Sequence, residues 1–122
     1  LYLYPKVDTP GCTQEACDFR DSYASVSKTG AQVFGVSLDG AESHRKFIDK
    51  HALPFALLCD IDAAVSKVYG VYKLKSMYGK KYWGIERSTF VIDKAGVITA
   101  SFRKVKVGGH VQDVLAALQA QA

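Results

Sequence analysis

Tyr4-Pro5-Lys6-Val7-Asp8-Thr9-Pro10-Gly11-Cys12-Thr13-Gln14-Glu15-Ala16-Cys17 carries an apolar run to its end, turns, and starts a helix with a thiol in its first turn. Thr9 is a good N-cap, with a hydroxyl able to accept from a backbone N–H about three residues on. Pro10 falls at the first helical position, where its missing N–H costs nothing. Unpaired N–H groups and the positive end of the helix dipole then converge on Cys12, and both favour the thiolate, the reactive form. The residues therefore predict a nucleophilic Cys12. The plainer alternative is a small buried residue at a strand–helix junction.

The 122 residues fit a single domain spanning 1–122, with 48% apolar and 23% charged residues, the profile of an ordinary globular protein. Nothing approaches the run of about 18 apolar residues that a membrane span requires, and no basic segment followed by an apolar one opens the chain. No membrane association is expected. The net charge of +4 is spread thinly: Lys73-Leu74-Lys75, Gly79-Lys80-Lys81 and Arg103-Lys104-Val105-Lys106 are the nearest approach to a patch, so no nucleic-acid partner is expected. Three cysteines, Cys12, Cys17 and Cys59, are too few and too odd in number for a secreted disulfide framework. They fit a reducing compartment, the cytoplasm, and a catalytic or redox thiol.

Leu1 to Tyr4 reads as the end of a buried strand. From Cys12 to Lys28, Ala16, Phe19, Tyr23 and Val26 recur at helical spacing, predicting one helix that Gly30 stops. Val33 to Leu38 is a buried strand, Ala41 to His51 a helix with Phe47 and Ile48 inward, and Phe55 to Cys59 a further extended run. Ile61 to Tyr69 forms a brief helix ending at Gly70. Val71 to Glu86 mixes aromatics, lysines and glycines and is expected to be a long loop or irregular strand. Arg87 to Ile92, the Asp93-Lys94-Ala95-Gly96 turn and Val97 to Phe102 form a hairpin. A last helix follows Gly108-Gly109, with Val111, Val114, Leu115 and Leu118 on one face. This order predicts an α/β fold with a central mixed sheet and helices on both faces, a thioredoxin-like arrangement. Cys59 follows an apolar run and is expected to be structural; His44, His51 and His110 are expected to face solvent or cap helices.

Pro5-x-x-x-Thr9-x-x-Cys12, and the longer run from Tyr4 to Asp21, resemble the active-site segment of the peroxiredoxins, specifically the bacterioferritin comigratory protein (PrxQ-type) subfamily. The similarity continues through Phe34-Gly35-Val36-Ser37, Pro54-Phe55, Met77-Tyr78-Gly79 and Gly84 to Asp93, as far as Arg103-Lys104-Val105-Lys106-Val107. It implies a thioredoxin-like fold of the peroxiredoxin type, lacking the family's N-terminal hairpin, and an incomplete record of the native chain. It implies thiol-dependent reduction of hydrogen peroxide and organic hydroperoxides without cofactor or metal. Cys12 would be the peroxidatic and Cys17 the resolving cysteine, with Pro5, Thr9 and Arg87 completing the site and Glu15 as an acidic partner for the arginine. The implied cycle runs through an intramolecular Cys12–Cys17 disulfide, recycled by thioredoxin or a similar dithiol, in a monomer. A thiol–disulfide oxidoreductase of the same fold, or a metal-binding thioredoxin-like protein using His110, are the alternatives.

The chemistry has its own demands on these residue types. Thiolate attack on an O–O bond puts negative charge on the departing oxygen, so donors must be aimed there and water kept out. The Thr9 hydroxyl, the Cys12 N–H and the permanently charged Arg87 are suited to this. Residues five apart on a helix have Cα atoms roughly 8.6 Å apart. A disulfide needs about 4.4–6.8 Å, so joining Cys12 to Cys17 requires the first helix to unwind.

Overall fold

Alternation along the first strand sends Tyr2 and Tyr4 to one face of a sheet and Leu3 to the other, and all three are almost fully buried. The computed structural model describes residues 1–121. They run β1 (Tyr2–Leu3), α1 (Pro10–Asp21), α2 (Tyr23–Lys28), β2 (Phe34–Ser37), α3 (Ala41–His51), β3 (Ala56–Cys59), α4 (Ala64–Val68), β4 (Tyr72–Met77), β5 (Lys80–Ile85), β6 (Ser88–Ile92), β7 (Ile98–Phe102) and α5 (His110–Gln121). Five strands form one sheet in the order β3-β2-β1-β6-β7. β1, β2 and β3 are parallel, whereas β6 is antiparallel to both β1 and β7.

Two right-handed crossovers step the same way, from β1 to β2 and from β2 to β3, so α1, α2 and α3 fall on one face of the sheet. There Tyr2, Tyr4, Leu57 and Val91 pack with Phe19, Val26 and Phe47, and α5 closes the layer with Val111, Val114 and Leu115. Tyr2 stacks on Phe19 at 4.7 Å between ring centroids. Burying an aromatic of this kind is worth about 1.5–3 kcal/mol. Between β3 and β6 the chain covers the opposite face, where Leu3, Val36 and Phe90 pack with Val71, Ile85 and Tyr69. The mixed sheet with helices on both faces is the predicted architecture, and the predicted 87–102 hairpin is present as β6 and β7.

Two expectations need correction. The helix predicted from Cys12 to Lys28 breaks at Ser22 (φ −97°, ψ 4°) into α1 and α2. Asp21 and Ser22 are poor helix formers whose side chains compete for the backbone, and periodicity alone does not register this. The segment from Val71 to Glu86 holds a regular hairpin, β4 paired with β5 from Tyr72↔Ile85 to Met77↔Lys80. Tyr78 and Gly79 both take positive φ (52° and 78°), as a tight hairpin turn requires, and Tyr72 stacks on Trp83. Lys73 is exposed and Lys75 half-buried, so it is the pairing of the two strands, and not an inward and outward alternation, that makes this segment regular. β3 is an edge strand and buries only Leu57, leaving Leu58 and Cys59 exposed. Among the described residues, no helix is long and apolar enough to cross a membrane.

A close approach fixes Gly35: a Cβ there would lie 2.7 Å from Leu57 Cδ2 and 2.9 Å from the Tyr2 ring and hydroxyl. Because Tyr2 is pinned against Phe19, Gly35→Ala is expected to cost about 1–3 kcal/mol in urea unfolding. Gly108→Ala, where nothing lies within 4 Å, should change stability by less than about 0.5 kcal/mol.

Candidate active site

The Tyr4 N–H bonds to Val36 O at 2.9 Å, carrying the β1–β2 ladder one residue further before the chain turns through Pro5 to Asp8. Thr9 is extended (φ −87°, ψ 150°) at the N-cap, and Pro10 opens α1, as the sequence predicted. The capping bond is absent. The Thr9 hydroxyl instead donates to Lys6 O at 2.8 Å, closing the turn beneath the helix start. Thr9 and the half-buried Pro5 thus shape the loop that delivers α1, and the Thr9 hydroxyl is not bonded to Cys12.

Cys12 is 1% exposed, in the first turn of α1, where N–H groups have no intrahelical partner. The β1–β6 register, Leu3↔Ser88, brings Arg87 to this end of the sheet. Its Nη2 donates to Cys12 Sγ at 3.3 Å and its Nη1 to Glu15 Oε1 at 2.7 Å. Gly11 leaves the room for this: a Cβ at that position would lie 2.9 Å from Arg87 Nη2. Glu15 is on the same helix, one turn below the thiol, and is fully buried. One guanidinium thus holds a carboxyl group and a sulfur at once.

Burial pushes the Glu15 carboxyl up to about 7, with Arg87 pulling the other way. Arg87 is half-buried, and Glu15 and Cys12 beside it hold its own value above the usual one against that loss of water. The second carboxyl oxygen, Oε2, has no hydrogen bond and faces His110 Nε2 at 3.8 Å. His110 Nε2 also lies 2.8 Å from Thr89 Oγ1, and burial holds this imidazole below its usual value. Of the six residues singled out in the sequence, Cys12, Glu15 and Arg87 meet directly and Thr9 and Pro5 frame them. Cys17, one and a half turns along α1, is half-buried with its Sγ 3.9 Å from His51 Nδ1. All three cysteines are free.

The histidines were misread. His44 and His110 are buried rather than solvent-facing, and His51 sits between α1 and the active-site loop. Cys59 is exposed and polar in its contacts, with its Sγ 3.2 Å from His44 Nδ1. The Ser37 hydroxyl donates to Asp39 at 2.6 Å, so it accepts from His44 Nε2 at 2.8 Å, which leaves Nδ1 as the acceptor facing that thiol. His110 faces Thr89 and Glu15, which is not the position needed to share a metal with two cysteines. Among the described residues no group of three or more His, Cys, Asp or Glu is arranged to hold a metal. Partners for these histidines come from other elements of the fold, and local sequence carries no signal of them.

A thiol at a helix N-terminus after a central parallel strand, bonded to a guanidinium from a neighbouring antiparallel strand, defines a thioredoxin-like thiol protein. The AhpC/TSA family model matches residues 1–101, and the chain belongs to that family, among its Bcp peroxiredoxins. It is 53% identical to peroxiredoxin Bcp of Bacillus subtilis over 98% of this chain and 76% of that protein. A cysteine variant of Xanthomonas campestris peroxiredoxin Q superposes with a TM-score of 0.94 at 47% identity, covering 99% of this chain and 77% of that one. A structure of the Xanthomonas campestris bacterioferritin comigratory protein, solved in connection with its alkyl peroxide reduction activity, matches with a TM-score of 0.93 at 46% identity, over 98% and 76% of the two chains.

The raised Glu15 value has a consequence for stability. Between the ordinary 4.5 and about 7 the folded chain keeps a proton that the unfolded chain has released, so stability falls as pH rises through that window and levels off above it. Urea unfolding from about pH 5 to about pH 8 should show this decline, and Glu15→Gln should flatten it. An equal slope in both proteins would contradict the assignment.

Proposed function

We propose that Cys12 reduces hydrogen peroxide and organic hydroperoxides by direct attack on the O–O bond. The observation that carries this is the Arg87 guanidinium set between Cys12 Sγ and the buried Glu15 carboxyl. The cation stabilises an anionic sulfur before the reaction and, as a positioned donor, the oxygen that leaves during it. The free first-turn N–H groups of α1 add donors at the same point. Burial of Cys12 keeps bulk water away, which makes each of these charges count for more. Attack forms an S–O bond as the O–O bond breaks, giving a Cys12 sulfenic acid and an alcohol or water.

Cys17 then resolves this intermediate. Its thiolate attacks the Cys12 sulfur, water leaves, and an intramolecular disulfide remains for an external dithiol such as thioredoxin to reduce. Both cysteines lie in the unbroken helix Pro10–Asp21, so α1 has to unwind for them to meet. The break at Ser22 limits what must melt, because α2 is already a separate helix packed through Val26. Thr9 and Pro5 hold the loop and Glu15 holds Arg87. Action as a monomer is part of this reading. The dependence on an external dithiol fits a reducing compartment, the cytoplasm. A simple thiol–disulfide oxidoreductase has no evident use for a guanidinium clamped by a buried acid.

A peroxide-consumption assay with a dithiol reductant tests the proposal. Cys12→Ser should lower turnover by at least about a thousandfold, since nothing replaces the nucleophile. Cys17→Ser should keep a single round of peroxide reduction close to the wild-type rate and lose disulfide-dependent turnover. Sustained turnover by Cys12→Ser would remove the basis of the reading.

A further inference from the structure

His51 is the last residue of α3, and nothing in peroxide attack uses it. Its ring is held edge-on to Phe47 with centroids 5.0 Å apart, and its carbonyl accepts from Arg20 Nη1 at 2.9 Å. One ring nitrogen, Nδ1, lies 3.9 Å from Cys17 Sγ. The other, Nε2, is buried without a hydrogen bond and lies 3.9 Å from Asp8 Oδ1. Asp8 belongs to the loop that carries Thr9 and takes a left-handed φ of 61°, which aspartate tolerates better than most residues. Thiol, imidazole and carboxylate stand in line, the order in which a nucleophile, its base and the group that orients the base are arranged.

We propose that His51 is the general base for the resolving step, taking the Cys17 proton on Nδ1 while Asp8 faces Nε2. The inference rests on the Cys12–Cys17 cycle given above. A thiol attacks as its thiolate, and an unassisted cysteine is only a few per cent ionised at neutral pH, so a base beside the resolving sulfur shortens the life of the sulfenic acid. Asp8, from the loop, faces the imidazolium that forms; Arg20, from α1, donates to the His51 carbonyl at 2.9 Å and pairs with Asp21 at 3.0 Å. Lys50, from α3, binds Asp8 Oδ1 at 3.1 Å and works against the imidazolium.

The step balances without an added reactant. The Cys17 S–H bond breaks and its proton goes to His51; the thiolate forms the S–S bond to Cys12 as the S–O bond of the sulfenic acid breaks. The departing hydroxide takes a proton back from the imidazolium and leaves as water. Cys17 sulfur is oxidised and Cys12 sulfur reduced by the same electron pair. Proton transfer occurs while α1 is folded, and unwinding then carries the thiolate to its target.

The test treats the reduced full chain with one equivalent of hydrogen peroxide and quenches samples over time into dimedone and a thiol alkylator for mass spectrometry. The rate of Cys12 oxidation, a step that His51 does not touch, reports whether a variant is folded. In His51→Gln, which cannot accept the proton, disulfide formation should be at least about tenfold slower near pH 7. The deficit should shrink to within about twofold near pH 9.5, where thiols ionise unaided. If His51→Gln does not fold, Asp8→Asn carries the same test on an exposed side chain, with a slowing of about threefold that also fades at high pH. Disulfide formation at or above the wild-type rate in the variant, or a deficit unchanged by pH, overturns the proton transfer and leaves His51 as a latch on α1. A wild-type chain that oxidises Cys12 but never joins it to Cys17 overturns the cycle as well.

Discussion

The Arg87 guanidinium, shared between a fully buried carboxyl group and a nearly buried sulfur, is the contact on which the rest of the structure turns. Taking such charges out of water costs several kcal/mol each, and well-packed apolar residues in their place would commonly be as stable or more so. Stability is therefore a poor reason for Glu15 to be there. Its value is positional: a short bond at 2.7 Å stops the long arginine side chain from sampling other rotamers and keeps its second nitrogen on the sulfur. The upward shift of the Glu15 carboxyl marks the cost of that burial.

Holding this contact needs two parts of the chain, 75 residues apart, at one end of one sheet. The parallel half delivers Cys12, because β1 runs straight into the turn and α1. The antiparallel half delivers Arg87, because β6 runs against β1 and so begins where β1 ends. A wholly parallel sheet would put the start of β6 at the far end. In the proposed cycle helix α1 also has opposing duties, since its dipole and free N–H groups serve the thiol while folded, and it has to open for the two cysteines to meet. Its short length and its separation from α2 at Ser22 reconcile the two.

Much of this was legible in the sequence, and the reasons differ by residue. Pro10 and the apolar spacing of Ala16, Phe19 and Val26 act locally, so the helix start and its buried face were readable. Cys12, Glu15 and Arg87 were readable as a group only through the family pattern, since no local rule connects position 15 with position 87. The Thr9 cap failed because the hydroxyl is oriented by donating to Lys6 O, a contact set by the turn before the helix. The β4–β5 hairpin was hidden by composition, as Lys73 and Lys75 looked like loop although they pair in register with β5. The histidines were misjudged for one reason. Their partners are set by packing across elements, and a titratable residue in sequence carries no mark of its burial.

The most direct measurement of the central claim is the order in which the three thiols oxidise. Reduced protein given substoichiometric hydroperoxide, trapped within its first turnover and mapped by peptide mass spectrometry, should carry the first oxygen on Cys12 alone, with Cys17 and Cys59 still reduced. First oxidation at Cys59 or Cys17 would contradict the account, because the sulfur that Arg87 holds would then not be the one that meets the peroxide.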